Sequence, residues 1–194
     1  MPKIVDHDER RTHLIAIAAD YIADHGLENT GLRDIANAAG FSQNIVSHYF
    51  ESKDELLWKV QQYVSARAIN RYLNARDKSL MNLVYLALPF AREQEVEWKV
   101  RINFWAMLSH HPKLLTDYQE VNSLTRASLQ AIIRDEQQRG AADLKADVAL
   151  LADKLLSLST ALSTHIILDS GYYTKSRCKR LIMESIGMYI ILEQ

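Results

Sequence analysis

A single cysteine among 194 residues excludes an internal disulfide framework, and only three prolines interrupt the chain. No apolar run approaches the ~20 residues needed to cross a bilayer. The segment MPKIVDHDERR lacks the apolar core of a secretory leader. Together these absences lead us to expect a cytoplasmic protein with no membrane partner, in which Cys178 is a small filler on a helix. Positive charge is also lacking. The net charge is −1, and over residues 1–60 Lys3, Arg10, Arg11, Arg33, Lys53 and Lys59 are outnumbered by Asp6, Asp8, Glu9, Asp20, Asp24, Glu28, Asp34, Glu51, Asp54 and Glu55. A nucleic-acid partner would therefore depend on where groups are placed, not on bulk attraction. Catalytic signatures are missing as well. The chain has no paired acid/base constellation, no GxSxG, no glycine loop to cradle phosphate and no histidine pair with ligand spacing. No enzyme, metal site or cofactor is expected.

What is present is helical periodicity punctuated by glycine. Of six glycines, Gly26, Gly31, Gly40, Gly140 and Gly171 fall where an apolar stripe stops or starts. The pattern predicts helices over 8–25, 32–39, 43–49, 52–75, 79–92, 93–110, 113–139, 145–169 and 175–192. No stretch alternates like a strand, so the expected fold is all-α with about nine helices. Pro89 should kink or end the fifth helix, and Pro112 should open the seventh. Ser52 and Glu55 have the spacing of a capping box, with Glu55 expected to return a bond to the Ser52 backbone. The length suits a head over 1–52 and a larger body over 53–194.

The second and third helices, separated by Gly40, Phe41 and Ser42, form a helix-turn-helix. Ile35, Ala36, Ala39, Val46 and Phe50 would face inward, Gly40 would turn the chain and Ser42 would cap the third helix. Gln43, Asn44, Ser47 and His48 are left on the outer face. They are polar, short and uncharged, which suits hydrogen bonding to base edges in a DNA major groove. Tyr49 and Lys53 would reach phosphates, with Arg33, Thr30, Arg10 and Arg11 as further phosphate candidates.

The run TGLRDIANAAGFSQNIVSHYFESKDELL, residues 30–57, resembles the DNA-binding signature of the TetR family, in which IA, AG, S, YF, K and L recur at these spacings. The resemblance implies a homodimer with a three-helix head and a C-terminal body that binds an inducer. Two positions depart from that pattern. Gly31 replaces the usual threonine cap, so the cap must come from Gly31 or shift to Thr30, and Asn44 replaces a common glycine and would either clash with DNA or read it. IVSHYF and NFWAMLSHHPKLLTDYQEVNS are similar to the subgroup of choline-sensing repressors of betaine synthesis.

In the body, Trp98, Phe104, Trp105 and Tyr118 fall on consecutive helices, with Tyr85 upstream and Asn103 adding a polar group. They are candidate walls for an effector, either a choline-like cation held by cation–π attraction or a flat apolar compound. Leu151, Leu155, Leu158 and Leu162 share a heptad face of the eighth helix. Ile182, Ile186, Tyr189 and Ile190 make the last helix apolar nearly all round, so these residues are candidates for an interface with a second copy. Gly187, read as a mid-helix glycine, would permit close approach there. The expected partners are double-stranded DNA with a palindromic operator, a small-molecule effector and a second copy of the chain. The expected function is a ligand-released repressor; the alternative is a protein-interaction module that has lost DNA affinity.

Overall fold

A computed structural model of the chain describes residues 7–108 and 110–191. Among them, nine α-helices follow in order: α1 His7–His25, α2 Leu32–Ala38, α3 Gln43–Tyr49, α4 Lys53–Leu73, α5 Leu80–Ala87, α6 Arg92–Leu108, α7 Pro112–Gln138, α8 Val148–Leu168 and α9 Lys175–Ile186. A 3₁₀ turn covers Gly187–Tyr189, and the one extended pairing among the described residues is an isolated bridge between Ala142 and Ile190. The all-α expectation holds.

The chain falls into two compact units. One comprises residues up to Arg67 with Glu95–His110, the other Ala68–Gln94 with the residues from His111 onward. This division differs from a boundary between residues 52 and 53. Leu56, Leu57, Val60 and Val64 of α4 are buried in the same core as Leu14, Ile35, Val46 and Phe50, and Val96 and Val100 of α6 join it. Burying apolar area holds the first part of α4, through Val64, to the head regardless of where its helix begins. In the second unit α7 and α5 pack on α8, α5 also meets α9, and Ile133, Leu155, Ile182 and Ile186 lie at the centre.

Local chemistry sets the helix limits. α5 stops at Ala87, short of the expected Arg92, because Leu88 precedes Pro89 and adopts an extended backbone (φ −74, ψ 141). α4 ends where the Lys78 ammonium takes the carbonyls of Tyr72 and Leu73. α8 begins three residues later than Lys145, since the Asp147 carboxylate accepts from the Ala149 and Leu150 amides at 2.9 and 3.0 Å. Cys178 is buried beside the Tyr173 carbonyl, and burial pushes its thiol pKa up.

The last helix ends earlier than its apolar pattern suggests; its expected end at Leu192 lies outside the described residues. Backbone pairing competes for the segment: Asp143 N–H donates to Tyr189 O and Ile191 N–H to Ala141 O, both at 3.0 Å. Gly187 therefore caps α9 and does not lie within it. A Cβ at Gly187 would come within 2.8 Å of Met183 Sδ, the movable end of an exposed side chain. Gly187→Ala should thus change stability by no more than about 0.5 kcal/mol, as thermal melting will show.

Candidate DNA-binding surface

The turn before α3 follows from three residues. Gly40 takes φ +68, a left-handed conformation that costs a side-chain-bearing residue on the order of 1 kcal/mol. Its amide donates to Asn37 O, and the Phe41 amide to Ala36 O at 2.9 Å, which closes α2. Ser42 is the N-cap of α3 but its hydroxyl makes no cap bond, contrary to expectation. At the start of α2, Gly31 is the N-cap and the Asp34 carboxylate accepts from its amide at 2.9 Å. Glycine has no side chain to complete a reciprocal box, so a single bond does the capping there.

α3 has the predicted limits and sidedness. Val46 is fully buried, with Phe50 just beyond the helix also buried, while Gln43, Asn44, Ser47 and His48 are exposed on the opposite face, with Arg33 exposed on α2. Side chains that accept and donate hydrogen bonds without charge are thereby presented on a short helix, which is the chemistry of base-edge reading.

The residues expected to hold phosphate are placed differently. Thr30 is only 2% exposed, and its hydroxyl donates to the Gly26 carbonyl at 2.7 Å, so it is a turn-holding residue and not a phosphate contact. Lys53 directs its ammonium to the Leu27 carbonyl at 3.0 Å, away from any external anion. Arg11 pairs with Glu55 at 2.9 Å and lies over the Phe50 ring, while Arg10 lies over Phe41, each 5.5 Å from the ring centroid. Glu55 accepts from the Glu51 amide at 2.8 Å, one residue before the predicted Ser52 partner, and its own amide donates to Ser52 Oγ at 3.1 Å. Tyr49 is half-buried, with its hydroxyl 3.0 Å from His7 Nδ1. Sequence reading missed His7, because nothing in the α1 pattern marks a partner 42 positions away.

Lys53 therefore has a role in the absence of DNA. Lys53→Ala should lower the stability of the free protein by about 1 kcal/mol, the net worth of one partly exposed charged hydrogen bond, and thermal or urea melting without DNA measures it.

The six candidate effector residues do not fall in one unit. Trp98, Asn103, Phe104 and Trp105 belong to the first, Tyr85 and Tyr118 to the second. Trp98 and Phe104 are buried. Trp98 meets Trp105 edge-on at 6.1 Å and holds the Arg101 guanidinium at 4.6 Å, while Phe104 lies 5.9 Å from Trp58, an aromatic that sequence reading passed over. Asn103 is committed to the backbone: its Oδ1 accepts from Leu27 N–H at 3.2 Å and its Nδ2 donates to Lys99 O at 2.8 Å. In this arrangement it serves as a clamp on the α1–α2 turn and not as a polar group on a pocket wall. Tyr85 carries Phe90 and the Lys179 ammonium on its ring. Also unforeseen was Glu97, 3% exposed on α6, whose carboxylate lies 3.7 Å from Arg67 Nε.

The candidate interface residues need correction too. Leu151, Leu155, Leu162, Ile182 and Ile186 are buried within the chain's own second core, and Leu158, Gly187, Tyr189 and Ile190 are half-buried. The first five are core residues of the chain itself, and the surface they leave for a second copy is that of the half-buried four. The exposed large apolar side chains of α8 are Leu150 and Leu168, 69% and 76% exposed, with Met183 on α9 and Met188 just after it.

Comparison with known proteins agrees with the helix-turn-helix. Residues 14–60 match the bacterial regulatory proteins of the tetR family, and residues 76–190 match the C-terminal domain of BetI-type transcriptional repressors. The HTH-type transcriptional regulator PksA of Bacillus subtilis is 26% identical over 192 residues, 96% of this chain and 92% of PksA. The HTH-type transcriptional regulator BetI of Pectobacterium atrosepticum is 31% identical over 130 residues, 63% of this chain and 66% of BetI. Among solved structures, a transcriptional regulator from Saccharomonospora viridis in complex with choline aligns with a TM-score of 0.80 at 22% identity, covering 96% of this chain and all 100% of that one. One from Rhodococcus sp. Rha1 aligns with a TM-score of 0.77, also at 22% identity, over 92% and 95% of the two chains. With the helix-turn-helix, the exposed polar face of α3 and these two matched segments, the chain belongs to the TetR family of transcriptional regulators and carries a BetI-type C-terminal domain.

Proposed function

We propose that the protein is a homodimeric repressor whose two α3 helices read a palindromic operator and which a small-molecule effector releases. The observation that carries this reading is the outer face of α3: Gln43, Asn44, Ser47 and His48 are all exposed, and the segment Phe41–Phe50 contains no carboxylate to repel DNA. The alternative, an interaction module without DNA affinity, drew on the acidic balance of the first 60 residues. Those acids lie outside that segment, and the three that share a corner with α3, namely Asp8, Glu51 and Glu55, gather at its His48–Tyr49 end together with Arg11. With Lys53, Arg10 and Arg11 engaged internally, phosphate contact falls to Arg33, to Tyr49 and to main-chain amides at helix starts.

Dimerisation supplies the affinity that one head, poor in positive charge, lacks. Leu150, Ser157, Ala161 and Leu168 form an exposed stripe along α8, and Met183 and Met188 extend the apolar surface near α9. A second copy burying this stripe about a two-fold axis would bring two recognition helices into one assembly, and successive major grooves require such helices about 34 to 36 Å apart. In this reading residues 1–52 bind DNA, and residues 53–194 dimerise and receive the effector in the reducing cytoplasm.

For the effector we favour a small organic cation. Support comes from the chemistry of α6, where cations already find partners: the buried Glu97 carboxylate lies against Arg67, and Trp98 holds the Arg101 guanidinium. The choline bound by the Saccharomonospora viridis regulator points the same way. The test is footprinting on DNA upstream of the protein's own gene at two salt concentrations, with and without millimolar choline. A two-half-site footprint that weakens with salt supports the repressor reading. No protection at low salt overturns it, and a footprint insensitive to choline removes the proposed effector class.

A further inference from the structure

His7 opens α1 beside the recognition helix. Its Nδ1 lies 3.0 Å from the Tyr49 hydroxyl, and its ring centroid is 5.9 Å from that of Tyr49 and 6.4 Å from that of His48. The groups around this corner are Asp8 and Arg11 from α1, His48 and Tyr49 from α3, Glu51 from the turn and Glu55 from α4. Arg11 and Glu55 pair with each other, and Glu55 also holds the Glu51 amide, while His7 meets Tyr49 of α3.

A phenol has one hydrogen to donate, and here an imidazole nitrogen and an incoming phosphate would compete for it. When His7 Nδ1 is bare, the Tyr49 hydroxyl donates to it and turns only lone pairs toward DNA. When both ring nitrogens carry hydrogen, Nδ1–H donates to the Tyr49 oxygen, and the hydroxyl hydrogen is left for an outside acceptor. We propose that His7 is a positioning residue for operator binding, with its ring deciding whether the Tyr49 hydroxyl hydrogen is kept within the head or presented to a DNA phosphate. The proposal rests on reading Tyr49 as a phosphate contact. Imidazole is the side chain whose hydrogen inventory changes most readily near neutral pH, so pH is the variable that tests this pair.

The experiment measures affinity by fluorescence anisotropy on the footprinted fragment between pH 8 and pH 5.5 at constant salt. It compares wild type, His7→Gln, His7→Lys, Tyr49→Phe and His7→Gln/Tyr49→Phe, which all retain His48, so that any contribution of the neighbouring ring is common to them and cancels in each comparison. Lowering the pH should tighten the His7 protein about tenfold more than His7→Gln, the worth of one charge-assisted hydrogen bond. His7→Lys, a donor at every pH, should bind tightly and without that slope. Tyr49→Phe should abolish the difference between His7 and His7→Gln. Equal slopes for His7 and His7→Gln overturn the proposal. A His7 effect that persists in Tyr49→Phe also overturns it, since His7 would then act on DNA through its own charge. If Tyr49→Phe binds like wild type at all pH values, the phosphate-contact reading fails, a result distinguishable from either of the others.

Discussion

Phe50→Ala is expected to destabilise the protein by about 3–5 kcal/mol, a large share of the roughly 5–15 kcal/mol that holds a domain folded. Phe50 is 1% exposed and sits where the chain leaves α3, its amide donating to Val46 O at 3.0 Å. Its ring fills the head core with Leu14, Ile35, Val46 and Leu56, and its face carries the Arg11 guanidinium. Truncation opens a cavity that rigid helices cannot collapse around, and it removes the surface on which Arg11 rests. Phe50→Leu, which retains most of the volume, should cost closer to 1 kcal/mol. Urea melts of both variants, with operator binding measured at a temperature where each remains folded, separate lost stability from lost contact. A loss below about 1 kcal/mol for the alanine variant would show that the ring does not fill the core as described.

A second pair of substitutions distinguishes the two faces of α8. Leu155→Glu places a carboxylate where the wild-type side chain is 1% exposed, against Ile133 and Ile182. Burial of an unpaired charge costs several kcal/mol, so this variant should fail to fold or lose its cooperative melt. Ala161→Glu puts the same group at the centre of the exposed stripe. It should leave the helical content intact yet convert the proposed dimer to a monomer in light scattering, and operator affinity should fall by at least about tenfold as the second half-site is lost. A dimer that survives Ala161→Glu would place the interface elsewhere.

Both expectations show where the sequence could and could not be read. α3 was legible to the residue, since its polar and apolar positions differ in kind and a left-handed glycine and a serine precede it. α8 was legible as a helix but not in its orientation: Leu151, Leu155 and Leu162 on one side, and Leu150 and Leu168 on another, are chemically alike, and only packing decides which of them is covered. Several phosphate candidates are engaged within the fold for a related reason. Lys53, Arg11 and Thr30 are long or polar enough to face DNA, but each finds an acceptor in its own fold, at Leu27 O, Glu55 and Gly26 O respectively. Such partners lie up to 44 positions apart and leave no periodic trace. The C-terminal segment departed from helix because its backbone is bound by residues 141–143, a competition that local propensity does not contain.

The clamp on Leu27 has a practical consequence. This residue lies in the turn between α1 and α2, where amide hydrogens ordinarily exchange with solvent quickly, yet its N–H is held by the Asn103 side chain of α6. Deuterium uptake at this one position therefore records how often α6 lets go of the turn. The molecule thus carries a native spectroscopic reporter of that motion, readable by NMR without any label attached to the DNA-binding face.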